Sequence, residues 1–436
     1  MSKSKDLRVA ILGVAVDNLT MDEVLDAVED EIREGGFHQI ATANVDFLIK
    51  SIHDEELYET LARCDLVLAD GMPLVWASRF LGAGLKERVT GADLVPQLAR
   101  LSAQRGYRIF LLGADEKSSA GAAAWMENNY PGVCIAGRYC PEHRSLEEMD
   151  HEEILSRVEA AKPDILLVAF GNPKQEKWLT MHRNRLEVPV CIGVGATLDF
   201  LSGRVSRAPL WMQKNGMEWF YRATQEPSRL ATRYMNNIVG LFRYLPGQLA
   251  AMVMQGKRHQ LSSITNRMVG PAIVVRIDGD FTGDLLPRFE SDVRSAVLSG
   301  AHIVLDMSNT VYIGADALAS LIYLMNIARS WKRELWIAGM DRTLIKVLGA
   351  AKLRLFFRMA PKVAEALRRI QPEPQAVPQL GNGWAFCRIG GQLIPIQFEE
   401  VPDVYRQMSQ LFNRGLSLGS VSVMPALGME IDAVSK

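Results

Sequence analysis

Six apolar runs, VAILGVAV, HQIATANV, CDLVLAD, YRIFLLGA, DILLVAFG and VCIGVGA, punctuate residues 8 to 200 and are continuous rather than alternating. A strand with water on one face alternates apolar and polar side chains, because successive side chains point to opposite faces. A strand that is apolar throughout must be covered on both, and helical patterns such as SAGAAAWMENNY separate these runs. The combination predicts an α/β fold, a mostly parallel sheet with helices on both faces, with VAILGVAV as an ordinary first strand.

In such a sheet the binding crevice lies beyond the carboxyl ends of the strands. The unusual residues gather there: Thr42, Asn44 and Asp46 after the second run, Asp70 and Gly71 after the third, Gly113 after the fourth, Gly171 to Glu176 after the fifth, and Gly193, Gly195, Thr197 and Asp199 after the last. A carboxylate at Asp70 can accept a proton from a hydroxyl nucleophile or cap the following helix, and Gly71 beside it permits close approach of backbone or ligand. Asp17, Asp46 and Asp199 hold comparable places, so spacing does not select the base. GVGATLDFLSG lacks the signature of a P-loop and of GxGxxG; its N–H groups can hold a phosphate oxygen or make a tight turn. AFGNPKQEKWL, at 169 to 179, either caps a helix at the surface or lines a pocket.

From Pro227 to Arg258 there is no Asp or Glu, while Arg229, Arg233, Arg243, Lys257 and Arg258 are basic. Leu230, Tyr234, Ile238, Leu241 and Leu245 share one face of a helix expected to start at Pro227 and stop at Pro246 and Gly247. A basic, aromatic helix with an apolar stripe can lie on an anionic membrane or pack against the sheet; the absence of acid favours the membrane. No apolar run is long enough to span a bilayer, and the opening MSKSKDLRVAILGVAV lacks the form of a signal peptide, so a cytoplasmic protein is expected. The five scattered cysteines, Cys64, Cys134, Cys140, Cys191 and Cys387, read as free thiols, and no ligand spacing supports a metal.

The 436 residues exceed one compact core. The expected divisions are an α/β core at 1–208, a basic aromatic appendage at 209–258, a smaller α/β domain at 270–370, a Pro- and Gln-rich linker at 371–380 and a C-terminal extension at 381–436. In the second domain AIVVRIDGDF, AHIVLDMSNT and ELWIAGM read as strands and LLPRFESDVRSAVLSG and ADALASLIYLMNIARSW as helices.

TANVDF (42–47), LVLADGMPLVW (66–76), ERVTGADL (87–94), IFLLGA (109–114), GNPKQEKW (171–178), GVGATLDFLSGRVSRAP (193–209) and EWFYRATQEPSRLATRY (218–234) together resemble the glycosyltransferase family named for WecG, TagA and CpsF. Asn172, and CPEH at 140–143, depart from its usual pattern, which bears on sugar selectivity. The resemblance implies an inverting enzyme without a cofactor or metal that moves a sugar, N-acetylmannosamine-like or another hexose, from a UDP-sugar to an undecaprenyl-diphosphate-linked acceptor. Such enzymes serve surface or exopolysaccharide synthesis, peripherally on the inner face of the cytoplasmic membrane. It implies Asp70 as general base, Thr42 and Asn44 around the reacting sugar, Gln175 and Glu176 on donor hydroxyls or nucleotide, and Arg222, Arg229 and Arg233 in a site-completing appendage. Gly71, Gly113, Gly195 and Asp199 complete the expected substrate contacts, and Arg229, Arg233 and Arg243 the membrane contacts. No nucleic acid partner is expected.

Residues 270 to 370 resemble the STAS fold, with IVLDMSNTVYIGADALASLIYL (303–324) as the matching core. Ala315 stands where phosphorylated antagonists carry a Ser, so constitutive docking of a polysaccharide-assembly protein or a second copy is expected through the loop and helix from Ile313 to Leu324, with Gly314 and Asp316 at the exposed start and the Leu-Ile-Leu stripe toward the domain core. A chain cut near Arg267 is expected to retain transfer. The alternative to an enzyme is a non-catalytic adaptor that binds nucleotide sugar or glycolipid and reports through this domain.

Overall fold

The computed structural model describes residues 8–214, 216–225, 227–255 and 262–370, and three short strands beyond them; the side chains of 210, 214 and 227–231 are outside that set. The first apolar run folds back on itself. Strands β1 (Val9–Ile11) and β2 (Val14–Val16) form an antiparallel pair apart from the main sheet. Leu12 and Gly13, at φ 49° and 90°, make the reversal. The expectation of an ordinary first strand is corrected accordingly: the Leu-Gly pair inside the run is a turn.

Helix α1 (Met21–Glu34) starts at a Thr20/Glu23 capping box and leads to β3 (His38–Ala43). There follow α2 (Val45–Ser51), α3 (Glu55–Arg63), β4 (Leu66–Ala69), α4 (Met72–Phe80), α5 (Gly91–Arg105), β5 (Arg108–Gly113) and α6 (Glu116–Asn129). Then come β6 (Cys134–Tyr139), α7 (His151–Ala161), β7 (Ile165–Ala169), α8 (Lys174–Met181), β8 (Val190–Gly193) and α9 (Thr197–Leu201). The sheet order is β4-β3-β8-β7-β5-β6 with every pair parallel. Ile109, Leu111, Ile165, Leu167 and Ile192 pack on one face with Val24, Leu94 and Met126, and Phe110, Leu112, Leu166 and Val168 on the other with Ile154 and Trp178. Both faces are dry, which is why the runs do not alternate. Strand β6 escapes the apolar pattern because it is a half-exposed edge; at its Gly137 a Cβ would come 2.8 Å from the Phe110 ring.

Beyond the sheet lie α10 (Leu210–Lys214), α11 (Glu218–Gln225) and α12 (Pro227–Met254). Helix α12 runs through Pro246 rather than stopping there. A proline removes one hydrogen bond, and burial of Leu245, Gln248 and Met252 around it keeps the helix continuous.

The second module has β9 (Ser263–Val269), β10 (Ala272–Phe281), α13 (Leu286–Leu298), β11 (His302–Ile313), α14 (Ala315–Ser330), β12 (Leu335–Ala338), α15 (Arg342–Ala350), β13 (Arg358–Ala360) and α16 (Val363–Arg369). Its sheet order is β13-β12-β11-β10-β9, with only β9 antiparallel. Residue 267 lies inside β9, not in a linker.

The apolar core does not stop between the modules. Val9, Ile11, Leu12, Leu57 and Leu61 join one cluster with Leu318, Leu321, Leu324, Val347 and Phe356. Helix α14 packs against β1, β2 and α3 as well as its own module, and Ala315 to Ile322 are all buried. The docking segment expected from Ile313 to Leu324 is corrected at its start: Gly314 and Asp316 are buried rather than exposed, and the first module packs on the helix that follows. Asp316 accepts from Thr282 Oγ1 at 2.8 Å and Gly283 N at 2.8 Å. Arg8 spans the seam, 2.9 Å from Asp17, 3.8 Å from Glu290 and 3.8 Å above the Tyr323 ring. Burial works against its charge, but the two carboxylates raise its pKa on balance.

The strands β14 (Trp384–Ile389), β15 (Gln392–Gln397) and β16 (Ser422–Pro425) form a separate antiparallel sheet in the order β15-β14-β16. The anticipated linker at 371–380 lies outside the described residues.

Candidate active site

The carboxyl ends of β4, β3 and β8 meet on one edge of the first module. Asp70 follows β4, its N–H donating to Ala43 O at 2.8 Å. The helix cap is Gly71, at φ 137°, a conformation that suits glycine, and α4 begins without a side-chain cap. Asp70 therefore does not cap the helix, and among the described residues its carboxylate has no hydrogen bond or ion pair. Burial raises its pKa to about 7, helped by Glu218 and Asp93 and opposed by Arg222 and Arg88. A group of that pKa takes up and releases protons near neutrality, as a general base must.

Thr42 is buried and donates to Gly193 O at 3.2 Å. The Asn44 Oδ1 caps α2, accepting from Asp46 N at 3.0 Å and Phe47 N at 3.4 Å. Gly91 closes over this edge: a Cβ there would lie 3.1 Å from Thr197 Oγ1 and 3.6 Å from Thr42 Oγ1.

Gln175 and Glu176 do not face a pocket. They are 2% and 1% exposed and bonded within the protein, which corrects the expectation that they reach donor hydroxyls in this conformation. Gln175 Oε1 accepts from Gly171 N and Gly195 N, both at 3.1 Å, and Gln175 Nε2 donates to Glu176 Oε1 at 2.7 Å. Asn172 Nδ2 donates to Glu176 Oε2 at 3.3 Å, and Lys50 Nζ donates to Asn172 Oδ1 at 3.2 Å. Burial lifts Glu176 to about 7 against the pull of these donors. The buried pair ties the loop after β7 to the loop after β8, and only glycine fits opposite: a Cβ at Gly193 would be 2.5 Å from both side chains. The Asn172–Pro173 peptide in this loop is cis.

Gly113, at φ 95°, allows the chain to pass Phe170, from which a Cβ would be 2.8 Å. Asp199 accepts from Ser118 Oγ at 2.6 Å on the same side of the sheet. These two are held by β5, α6 and α9, whereas Asp70, Thr42 and Asn44 are held by the ends of β4 and β3.

The helices after the sheet dock over Asp70. Glu218, at the start of α11, is 3.2 Å from Arg88 and 3.4 Å from Arg207, and Asp93 is 3.1 Å and 2.7 Å from the same arginines. This ring of alternating charge anchors α11 and leaves Arg222, one turn on, 5.0 Å over the Phe200 ring. Arg233 is 2.8 Å from the buried Asp46, which is also 2.8 Å from Lys50. Tyr234 lies against Trp219, centroids 5.9 Å apart, and burial, with Asp70 and Glu218, raises its hydroxyl pKa against Arg222 and Arg233. The side chain of Arg229 lies outside the described residues. Arg88, Asp93, Arg207 and Glu218 were not singled out in the sequence, and Tyr234 only as part of the apolar stripe; several lie inside the motifs quoted above, but their pairings are distant along the chain. Beside the ring is a cavity of about 520 Å³ bounded by Met72, Val75, Arg79, Arg88 and Gln213; Asp70 is not in its lining.

The anticipated membrane stripe faces inward where it is described: Leu245 is buried, Leu241 packs on the core, and Tyr234 and Ile238 are half-buried. The outward face of α12 carries Met235, Val239 and Phe242, exposed by 59%, 57% and 76%. No helix among the described residues is long and apolar enough to cross a membrane.

Residues 9–252 match the family model described as Glycosyl transferase WecG/TagA/CpsF family, and residues 263–366 match the STAS domain model. An N-acetylglucosaminyldiphosphoundecaprenol N-acetyl-beta-D-mannosaminyltransferase from Staphylococcus aureus strain MRSA252 is 30% identical over 230 residues, 52% of this chain and 89% of that protein. The protein of the same description from strain MW2 is 29% identical over the same shares. Two solved structures are similar at 15% identity: the anti-sigma factor antagonist SpoIIAA in its unphosphorylated form, TM-score 0.22, covering 25% of this chain and 97% of that one, and an anti-sigma factor antagonist from Mycobacterium paratuberculosis, TM-score 0.23, covering 26% and 97%.

Proposed function

This chain belongs to the glycosyl transferase WecG/TagA/CpsF family, and from that premise we propose that it moves an N-acetylhexosamine from a UDP-linked donor to a GlcNAc-diphosphoundecaprenol acceptor. The relatives named above carry that acceptor in their description. The observation that carries the reading is Asp70, a carboxylate without a partner among the described residues, raised to about 7 and faced by the appendage that bears Arg222.

The acceptor hydroxyl attacks the anomeric carbon as the bond to UDP breaks. Asp70 takes the hydroxyl proton, and the electron pair leaves on the UDP oxygen. A single displacement inverts the anomeric centre. Negative charge grows on the departing diphosphate, and Arg222 and Arg233 are the cations assigned to stabilise it. Thr42 and Asn44 shape the floor beneath the sugar; Gln175 and Glu176 act from behind by holding the Gly171 and Gly195 loops. Gly71, Gly113 and Asp199 complete the wall, and Arg229 is assigned with Arg222.

A polyprenyl acceptor is presented at a bilayer, and the outward face of α12 supports peripheral attachment. Met235, Val239 and Phe242 recur at four and three residues, with Arg243 beside Phe242. Trp211 on α10 and Phe220 on α11 are also more than half exposed. The test is a transfer assay with purified full-length protein, UDP-N-acetylmannosamine and other UDP-sugars, and a short-chain GlcNAc-diphosphate lipid. Product should form with inverted linkage; absence of product with every donor would refute the reading.

A further inference from the structure

Helix α12 and the residue directly after it carry two buried side-chain amides that pair with backbone of the neighbouring strands and turn. Gln248 donates to Ala10 O at 2.9 Å and accepts from Leu12 N at 2.9 Å. Gln255, seven residues later, donates to Ile313 O at 3.2 Å and accepts from Ile313 N at 2.9 Å. Ala10 and Leu12 belong to the hairpin of the transferase module; Ile313 ends β11 of the STAS domain, directly before α14. Losing either pairing leaves buried donors and acceptors unsatisfied, so both modules fix where α12 lies along its axis.

The same helix bears Arg233 on Asp46 and Tyr234 on Trp219, and its middle is seated close on α2, since a Cβ at Gly240 would come 2.9 Å from Ile49. From Arg233 to Met254, the last residue of α12, is roughly 32 Å of helix at 1.5 Å per residue, a stiff arm between the STAS corner and the turn that bears Arg233 on Asp46 and Tyr234, whose hydroxyl feels the charge of Asp70. Helix α15 packs along α12 as well. Around the corner the STAS domain is closed onto the transferase: Asn326 donates to Ala62 O, and Arg329 is 3.0 Å from Glu59.

We propose that the STAS domain is a positioning module for sugar transfer: its β11–α14 corner, through Gln255, sets α12 and thereby the placement of Arg233 and Tyr234. Gln255 is a positioning residue; it is remote from the reacting atoms. The proposal relies on the transfer reading for the reaction that is positioned, but the mechanical link stands on the contacts alone.

The experiment uses the full chain as wild type, Gln255→Ala, Arg233→Lys and the double variant. Two readings are taken: amide hydrogen exchange across residues 233 to 240, without substrate, and kcat/KM with UDP-N-acetylmannosamine and the short-chain acceptor. Expected for Gln255→Ala are exchange about tenfold faster in that turn and kcat/KM about tenfold lower, as for a small misplacement of a positioning group. In the Arg233→Lys background Gln255→Ala should add little, because both act on one arrangement. Faster exchange confined to the last turn of α12, or effects that add in the double variant, would overturn the proposal. Gln255→Glu keeps the acceptor for Ile313 N–H and gives the same readings if the alanine variant does not fold. If the wild type transfers no sugar, the transfer reading fails by itself and hydrogen exchange still decides the brace.

Discussion

A carboxylate that keeps its proton to about pH 7 makes rate and stability run in opposite directions. Transfer should rise with pH and reach half its maximum near 7, as Asp70 becomes able to accept a proton. Its folded pKa lies above the unfolded value of about 3.9, so the native state holds the extra proton between those limits and stability falls as pH rises from about 4 to about 7. Asp70→Asn should lower transfer by about two orders of magnitude or more, and at pH 8 its melting temperature should be equal to or above the wild type's. A pH–rate profile and melts at pH 5 and 8 test both; a variant that turns over normally removes Asp70 as base. Gly193→Ala should cost about 1–3 kcal/mol in urea unfolding, since the added methyl meets the fixed Gln175–Glu176 pair. Asp70 stood out in sequence only through the family resemblance, since a strand end fits Asp17, Asp46 and Asp199 as well. Gln175 and Glu176 were misread because a polar pair beside a strand looks alike whether it lines a cavity or locks two loops. The ring of Arg88, Asp93, Arg207 and Glu218 was out of reach, because it joins residues as far as 130 positions apart.

At the level of elements, periodicity found helix α12 and not its orientation. The stripe ending at Leu245 is apolar because it packs inward, while Met235, Val239 and Phe242 form a second stripe that the search for one continuous face passes over. The two faces predict different losses. Val239→Asp with Phe242→Asp should abolish sedimentation with anionic vesicles and leave the urea midpoint within the range of surface changes, about 0.5 kcal/mol. Leu245→Ala should cost about 2–5 kcal/mol and spare vesicle binding of the folded protein. Binding retained after both aspartates would place the membrane contact elsewhere. The central strands β3, β5, β7 and β8, and the edge strand β4 that the hairpin covers, were legible as dry runs; β6 and β9 are exposed edge strands whose mixed patterns carry little signal, and the first hairpin was hidden inside one uniform run.

Across the whole molecule, two sheets were readable and their union was not. Apolar residues on β1, α3 and α14 look, in sequence, like each module's own core; the structure spends them on one shared cluster. A chain cut at Arg267 ends within β9 and uncovers Val9, Ile11, Leu57 and Leu61. It should therefore melt at least about 10 °C lower than the full chain and scatter light as aggregate, contrary to the expectation of an independent catalytic piece. A monodisperse truncated chain with full transfer would show that the two modules do not depend on each other.

The hairpin at Val9–Val16 leaves the ribosome long before the groups that complete it, Gln248 and helix α14. At about 5–20 residues per second, some 240 to 310 further residues take roughly 12 to 60 s to appear. Throughout that interval the hairpin has only α3, α4 and β4 as neighbours, and its uncovered side presents the kind of surface that chaperones hold. Synthesis rate over the second module, rather than over the catalytic core, should set how much of this enzyme reaches its native form.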